Sequence, residues 1–232
     1  PVVGFGIAGI LCAIAIFATV SNTRVTKAAA AQADPEKKVK GWGIRNKPAF
    51  TALCAIEILD ATTRTGFLTF IAFVLLAKGL PEGWAVLSVP LILVGGMAGK
   101  LACGFLAERL GIVRMIVITE VATGLGILAT LVLPGAAAFL LLPLIGIVLN
   151  GTSSVLYATL GEFVEQDRLA RSFALFYTLG SLCGIAAPLG YGLIGDVYGV
   201  ETAMAVMGIA VLFTVPLAML MKTNMAAQLK GA

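Results

Sequence analysis

The chain has 232 residues, of which 59% are hydrophobic and 12% charged, with a net charge of +4. A soluble domain carries about twice that share of charge, and transmembrane strands would be about half as long as the apolar runs here, so the composition leaves a helical membrane protein. Histidine is absent, which removes the commonest general base and metal ligand, while Cys12, Cys54, Cys103 and Cys183 each stand alone in an apolar run with neither metal spacing nor a disulfide framework.

Seven apolar segments are expected to cross a bilayer, over 1–20, 49–77, 83–107, 112–133, 137–159, 172–195 and 201–221. Between the first and second lies a polar linker, 21–48, with Asp34, Pro35, Glu36, Lys37, Lys38, Lys40, Arg45 and Lys47, and with Trp42 suited to a headgroup layer. The other turns are short, so successive helices are expected to be antiparallel neighbours.

The second segment carries Glu57, Asp60 and Arg64. At about 100° per residue these positions share a sector of about 60°. At about 1.5 Å per residue they lie about 12 to 22 Å from the segment's start, near the middle of the bilayer. An ionised group at that depth costs a few kcal/mol or more and marks a functional path. Asp60 and Arg64, at i and i+4, can also neutralise each other as a structural pair, which leaves Glu57 over. A buried carboxylate can couple solute movement to protons. Arg64 helps Asp60 to keep its charge, so Glu57 is the candidate proton carrier and Arg64 a candidate anion contact.

The third segment holds Gly95, Gly96, Gly99 and Gly104, the sixth Gly180, Gly184, Gly190, Gly192, Gly195 and Pro188. Small residues allow close helix contact and the proline permits a bend, so packing and hinge readings both apply. Lys100 in the third segment and Glu120 in the fourth are equally deep, which predicts a buried ion pair, with Glu57 as a rival partner for Lys100. In the fifth segment Asn150, Ser153, Ser154 and Tyr157 form one stripe, either a path lining or polar glue between helices.

The basic residues set orientation. Arg24, Lys27, Lys37, Lys38, Lys40, Arg45, Lys47, Arg109, Arg114, Arg168, Arg171, Lys222 and Lys230 fall on alternate turns. Lys78 alone is on the opposite side, and Arg64 and Lys100 are inside segments. The linker and C-terminus are therefore expected in the cytoplasm, and the basic balance reports topology, not a nucleic-acid partner. Pro1 then lies outside, which is expected if an upstream piece with an odd number of spans is missing.

The turn from Gly104 to Arg114 reads Gly-Phe-Leu-Ala-Glu-Arg-Leu-Gly-Ile-Val-Arg. It resembles the loop motif of the major facilitator superfamily, Gly-x-Leu-Ala-Asp-Arg-x-Gly followed by basic residues. Gly104, Leu106, Ala107, Arg109 and Gly111 match. Glu108 replaces the usual Asp, and of the basic residues only Arg114 remains. Gly161-Glu162 through Arg171, leading into Tyr191-Gly192-Leu193-Ile194-Gly195-Asp196, is similar to the family's later loops. The second segment, with Gly66-Phe67-Leu68-Thr69-Phe70 after Asp60 and Arg64, loosely resembles drug-efflux and fosmidomycin-resistance-type members.

The resemblance implies an all-α membrane fold of about seven transmembrane helices. Residues 1–20 would be the sixth helix of a twelve-helix transporter, 21–48 its central cytoplasmic linker and 49–232 its C-terminal six-helix half. It also implies that the first and fourth helices of the half line a central cavity, that Arg109 or Arg114 meets Glu162 in a charge relay, and that Glu108 approaches the opposite half. The implied partners are a small-molecule solute, the lipid bilayer and the missing N-terminal half. No cofactor is implied, and a bacterial inner membrane is the expected location. The expected function is secondary transport by alternating access, with proton-coupled efflux as one mode. A membrane-embedded enzyme would need a His-Glu-x-x-His, Gly-x-Ser-Gly or Gly-x-Gly-Asp motif, and none occurs. A non-transporting receptor or scaffold on the same fold, and a half-size transporter acting as a dimer, are the alternatives.

Overall fold

The computed structural model describes Ile14 and residues 42–230, with side chains through residue 223. The first segment and most of the linker lie outside the described residues. Helix α1 runs Lys47–Ala77, α2 Glu82–Val86, α3 Ser88–Leu110, α4 Ile112–Val132, α5 Gly135–Phe163, α6 Leu169–Tyr198, α7 Val200–Leu212 and α8 Thr214–Lys230, with a 3-10 turn Gln166–Arg168 before α6. Grouped as Lys47–Ala77, Glu82–Leu110, Ile112–Val132, Gly135–Phe163, Gln166–Tyr198 and Val200–Thr223, they give six helices long and apolar enough to cross a membrane.

The element boundaries follow local chemistry. Asn46 caps α1 by accepting a hydrogen bond from the Ala49 amide at 3.1 Å, and Pro48 sits in the first turn, where its missing N–H is harmless. The breaks at Leu87 and Phe213 share a Ser/Thr-Val-Pro sequence. Pro90 and Pro216 each remove a helical N–H. One turn back, Ser88 donates to the Ala85 carbonyl and Thr214 to the Val211 carbonyl, both at 2.6 Å, so local carbonyls are re-satisfied. Gly111 alone joins α3 to α4, at φ +86°, a conformation that L side chains rarely adopt. Lys78 donates from Nζ to the carbonyls of Leu131 and Leu133 at 2.7 and 2.8 Å, covering the C-terminal end of α4.

Contacts follow chain order only in part: the successive helices α4 and α5 pack closely, as the short turns predict, but other main pairings skip along the chain. The most extensive pairings are α3 with α5 and α1 with α6, whereas α3 with α4 and α5 with α6 touch much less. Small residues decide this. A Cβ on Gly95 or Gly99 would collide with the carbonyl of Pro143 or Ile147, and one on Gly146 with the Ile92 carbonyl. The α3 and α5 backbones thus lie in direct contact, which gives dispersion contacts that lipid cannot match.

Two apolar cores stack along the helices. One gathers Leu53, Ile56, Ile116, Leu156, Phe163 and Phe176, at the end bearing Arg109 and Arg114. The other gathers Phe67, Ile71, Ile92, Ile127, Leu142 and Met207. Between them the buried polar residues form a layer: Glu57, Asp60 and Thr63 on α1, Thr119, Glu120 and Thr123 on α4, Asn150, Thr152 and Ser153 on α5. A short antiparallel pairing closes the basic end. Ile44 bridges Val164, the Arg45 amide donates to the Phe163 carbonyl at 2.8 Å, and the Glu165 amide donates to Gly43 at 2.9 Å. Arg171 lies 4.3 Å over the Trp42 ring, a cation–π contact beside that pairing.

Candidate functional site

A pocket of about 410 Å³ opens between α1 and α6 at the level of the polar layer. Glu57, Arg64 and Thr65 contribute from α1, Tyr177 and Ser181 from α6, and Tyr157 from α5. Gly180 brings the α6 backbone against the Glu57 carboxylate, where any Cβ would strike Oε1, and Gly184 faces the Thr65 hydroxyl. The sequence reading placed these glycines in packing and hinge roles. In the structure they form the pocket's second wall, together with Pro188. The available signal was their i, i+4 spacing beside Ser181, which puts small and polar groups on one face.

The three charges of α1 divide. Arg64 reaches Asp60 at 3.4 Å, with the arginine side chain 20% exposed and that of Asp60 3%. Arg64 therefore stands in the pocket wall and Asp60 behind it. Glu57 accepts a long hydrogen bond from the Tyr157 hydroxyl at 3.4 Å, and its Oε2 has no hydrogen-bond partner. Tyr157 is held by aromatic neighbours, Phe173, Phe176 and Tyr177, at ring-centre separations of 6.4, 5.7 and 6.4 Å.

The α5 stripe divides as well. Only Tyr157 reaches the pocket. Asn150 is buried against Gly96 of α3 and donates to its own helix at Gly146, 3.3 Å away. Ser153 donates to the Asn150 carbonyl at 2.8 Å. Both side chains bond within their own helix, and Asn150 packs so closely on Gly96 of α3 that the two are buried away from the pocket. Ser154 lines a different groove, of about 510 Å³, with Gly104, Glu108, Gly111 and Glu162.

Two expected ion pairs are absent. Lys100 is exposed, whereas Glu120 is fully buried, and they are not paired; nor is Lys100 paired with Glu57. Equal depth does not give equal direction. Lys100 shares the outer face of α3 with Met97 and Leu101, 72% and 71% exposed, while Gly95 and Gly99 turn to α5. A lysine there can run its stem along the surface and carry its ammonium outward. Glu162 pairs with neither Arg109 nor Arg114; all three side chains are exposed at the basic end, where solvated charges gain little from pairing. Glu108 is also exposed. No group of three or more Cys, Asp or Glu side chains among the described residues is arranged to hold a metal ion.

The family model for the Major Facilitator Superfamily matches residues 2–188. No curated protein matches the chain. The match runs through the Gly104–Arg114 turn and includes every side chain named in the pocket, and it agrees with an all-α, six-span fold. The chain belongs to the Major Facilitator Superfamily, a family of integral membrane transporters.

Proposed function

We propose that the chain is the C-terminal half of a secondary transporter that moves a small polar, charged or amphipathic solute through the pocket between α1 and α6. The observation that carries this reading is that Glu57 and Arg64, two turns apart on one helix, both stand in the wall of that pocket, between two apolar cores. Charges are costly at such a depth, and here they face open space that a solute can enter. Arg64 offers a planar donor set to an anionic or hydrogen-bonding group. Glu57 has no cation of its own, since Arg64 is engaged by Asp60, so its carboxyl is the group free to take and release a proton.

The mechanism is alternating access. The six-helix half rocks against an N-terminal half, so that the pocket faces each side of the membrane in turn. Gly180, Gly184 and Pro188 let α6 slide or bend along α1 without disturbing the two cores. The linker and the end bearing Arg109 and Arg114 are cytoplasmic by charge, and the location is a bacterial inner membrane.

Reconstitution of the full-length transporter in liposomes tests this. A screen of organic anions, sugars and amphipathic drugs under an imposed pH gradient should find a solute that accumulates. Glu57→Gln should bring gradient-driven accumulation down to that of empty liposomes while solute binding persists. Arg64→Gln should weaken binding itself. Full proton-driven accumulation by Glu57→Gln would refute the assigned role of Glu57. Unchanged solute affinity in both variants would move the site elsewhere.

A further inference from the structure

The last residues before α1 are tied to the turn between α5 and α6. Ile44 faces Val164 as the non-hydrogen-bonded pair of an antiparallel bridge. The Arg45 amide donates to the Phe163 carbonyl at 2.8 Å on one side of that pair, and the Glu165 amide to the Gly43 carbonyl at 2.9 Å on the other. Gly43 turns the chain into the bridge at φ +66°, and a Cβ there would strike the stem of Arg168. Arg171, in the first turn of α6, adds a cation–π contact at 4.3 Å over Trp42. Phe163 and Val164 are buried in the core of the basic end with Leu53 of α1 and Phe176 of α6, and Ile44 packs against that core. The contacts therefore join α1, α5 and α6 at one end, and these are the three helices that line the pocket. Tyr157 and Tyr177 stand about 9 Å from this junction along α5 and α6, and Glu57 about 15 Å along α1. The opposite end of the α1–α6 contact is built differently. Gly180 and Gly184 meet Glu57 and Thr65 closely, but beyond Pro188 a Cβ on Gly190 would meet nothing within 4 Å, and one on Gly192 would meet the Phe70 ring tip at 3.8 Å. Tyr191 reaches Gly66 of α1 there with its ring, a contact that a rotamer change can release.

We propose that residues 42–45 are a clasp that keeps the α1–α6 cleft shut at the basic end, so that the pocket opens only from the opposite end, by movement of α6 beyond Pro188. Parting α1 from α6 at the basic end would break two backbone hydrogen bonds, draw Ile44 away from Val164 and lift Arg171 off the Trp42 ring. These contacts lie on short adjoining stretches of chain, so they are made or lost together. At the opposite end, Pro188 removes one helical N–H and permits α6 to bend. Gly190 and Gly192 have no side chains to unpack when it does. The clasp rests on the reading of the pocket as the transport site and deepens it by naming the end that opens.

The test is the distance between paired spin labels, measured by pulsed electron resonance on the full-length transporter in lipid, with its cysteines replaced by serine. Labels at Thr51→Cys and Ala174→Cys report the clasped end of α1 and α6. Labels at Phe73→Cys and Val197→Cys report the other end, and all four positions are exposed. The clasped pair should give one narrow distance and the far pair a broad or double one. Gly43→Val, which sets a branched side chain at a positive φ against Arg168, should add a longer distance to the clasped pair. A second, longer distance at the clasped end with Gly43 in place would overturn the proposal. So would a clasped pair that stays narrow in Gly43→Val, because something other than the clasp would then hold that end. A far pair as narrow as the clasped one would mean a rigid cleft and is equally fatal. If Gly43→Val does not fold, Trp42→Ala takes its place and the same readings apply. These distances need no solute. A failure of the transport reading, seen as unchanged solute affinity in Arg64→Gln, is therefore distinguishable from a failure of the clasp.

Discussion

Glu57 and Asp60 are three residues apart on one helix, yet their surroundings differ. Asp60 has a cation at 3.4 Å and lies behind it, whereas Glu57 has a tyrosine hydroxyl and faces the pocket. The difference predicts unequal responses to substitution. Removing Arg64 leaves Asp60 buried without a counter-charge, and breaking such a pair costs about 3–5 kcal/mol. Arg64→Met should therefore lower the melting temperature in detergent, while Asp60→Asn with Arg64→Met should recover most of the loss. A double-mutant cycle gives the coupling directly. A double variant as unstable as the sum of the singles would show that the pair contributes nothing to the fold. The shared face of Glu57, Asp60 and Arg64 was legible in the sequence because only charge and helical period enter that argument. Which of them stands in the wall was not legible, since it depends on α6, whose glycines carry no polarity signal.

At the scale of elements, the spans are legible because each must be about 20 apolar residues long. Their facing is not. Lipid is as apolar as a protein core, so a helix such as α3 shows no polar stripe to tell one side from the other. Lys100 was therefore assigned by depth alone, and the assignment to Glu120 failed on direction. The glycines carried the missing information: Gly95 and Gly99 mark the α5-facing side, and Lys100 follows Gly99 by about 100°. This interface makes its own prediction. Gly99→Leu would drive a side chain into the Ile147 carbonyl. Overpacking of that kind costs about 1–3 kcal/mol or more, since a backbone cannot step aside as a flexible side chain can. Thermal unfolding in detergent should show the loss, and a wild-type melting curve would mean that the α3–α5 contact is looser than described.

At the scale of the whole molecule, the most distinctive sequence motif does the least within the chain itself. Gly104 meets nothing within 4 Å where a Cβ would stand, and Glu108, Arg109 and Arg114 are exposed. Two members have internal reasons: Ala107 packs into the apolar core, and Gly111 has the positive φ of the one-residue turn between α3 and α4. A glycine inside a helix costs about 0.5–1 kcal/mol relative to alanine, so Gly104 is a local weakness that its own surroundings do not explain. The proposed N-terminal half supplies an explanation: the groove holding Gly104, Glu108 and Glu162 is where a helix of that half would approach, with its N-terminal amides toward the carboxylates. Gly104→Trp separates the two levels. In the 232-residue chain the new side chain enters open space, and stability should change by no more than about 0.5 kcal/mol. In the full-length transporter the same side chain would occupy the approach of the opposite half, and solute movement in liposomes should be lost. Undiminished transport by full-length Gly104→Trp would show that no helix closes on this groove during the cycle.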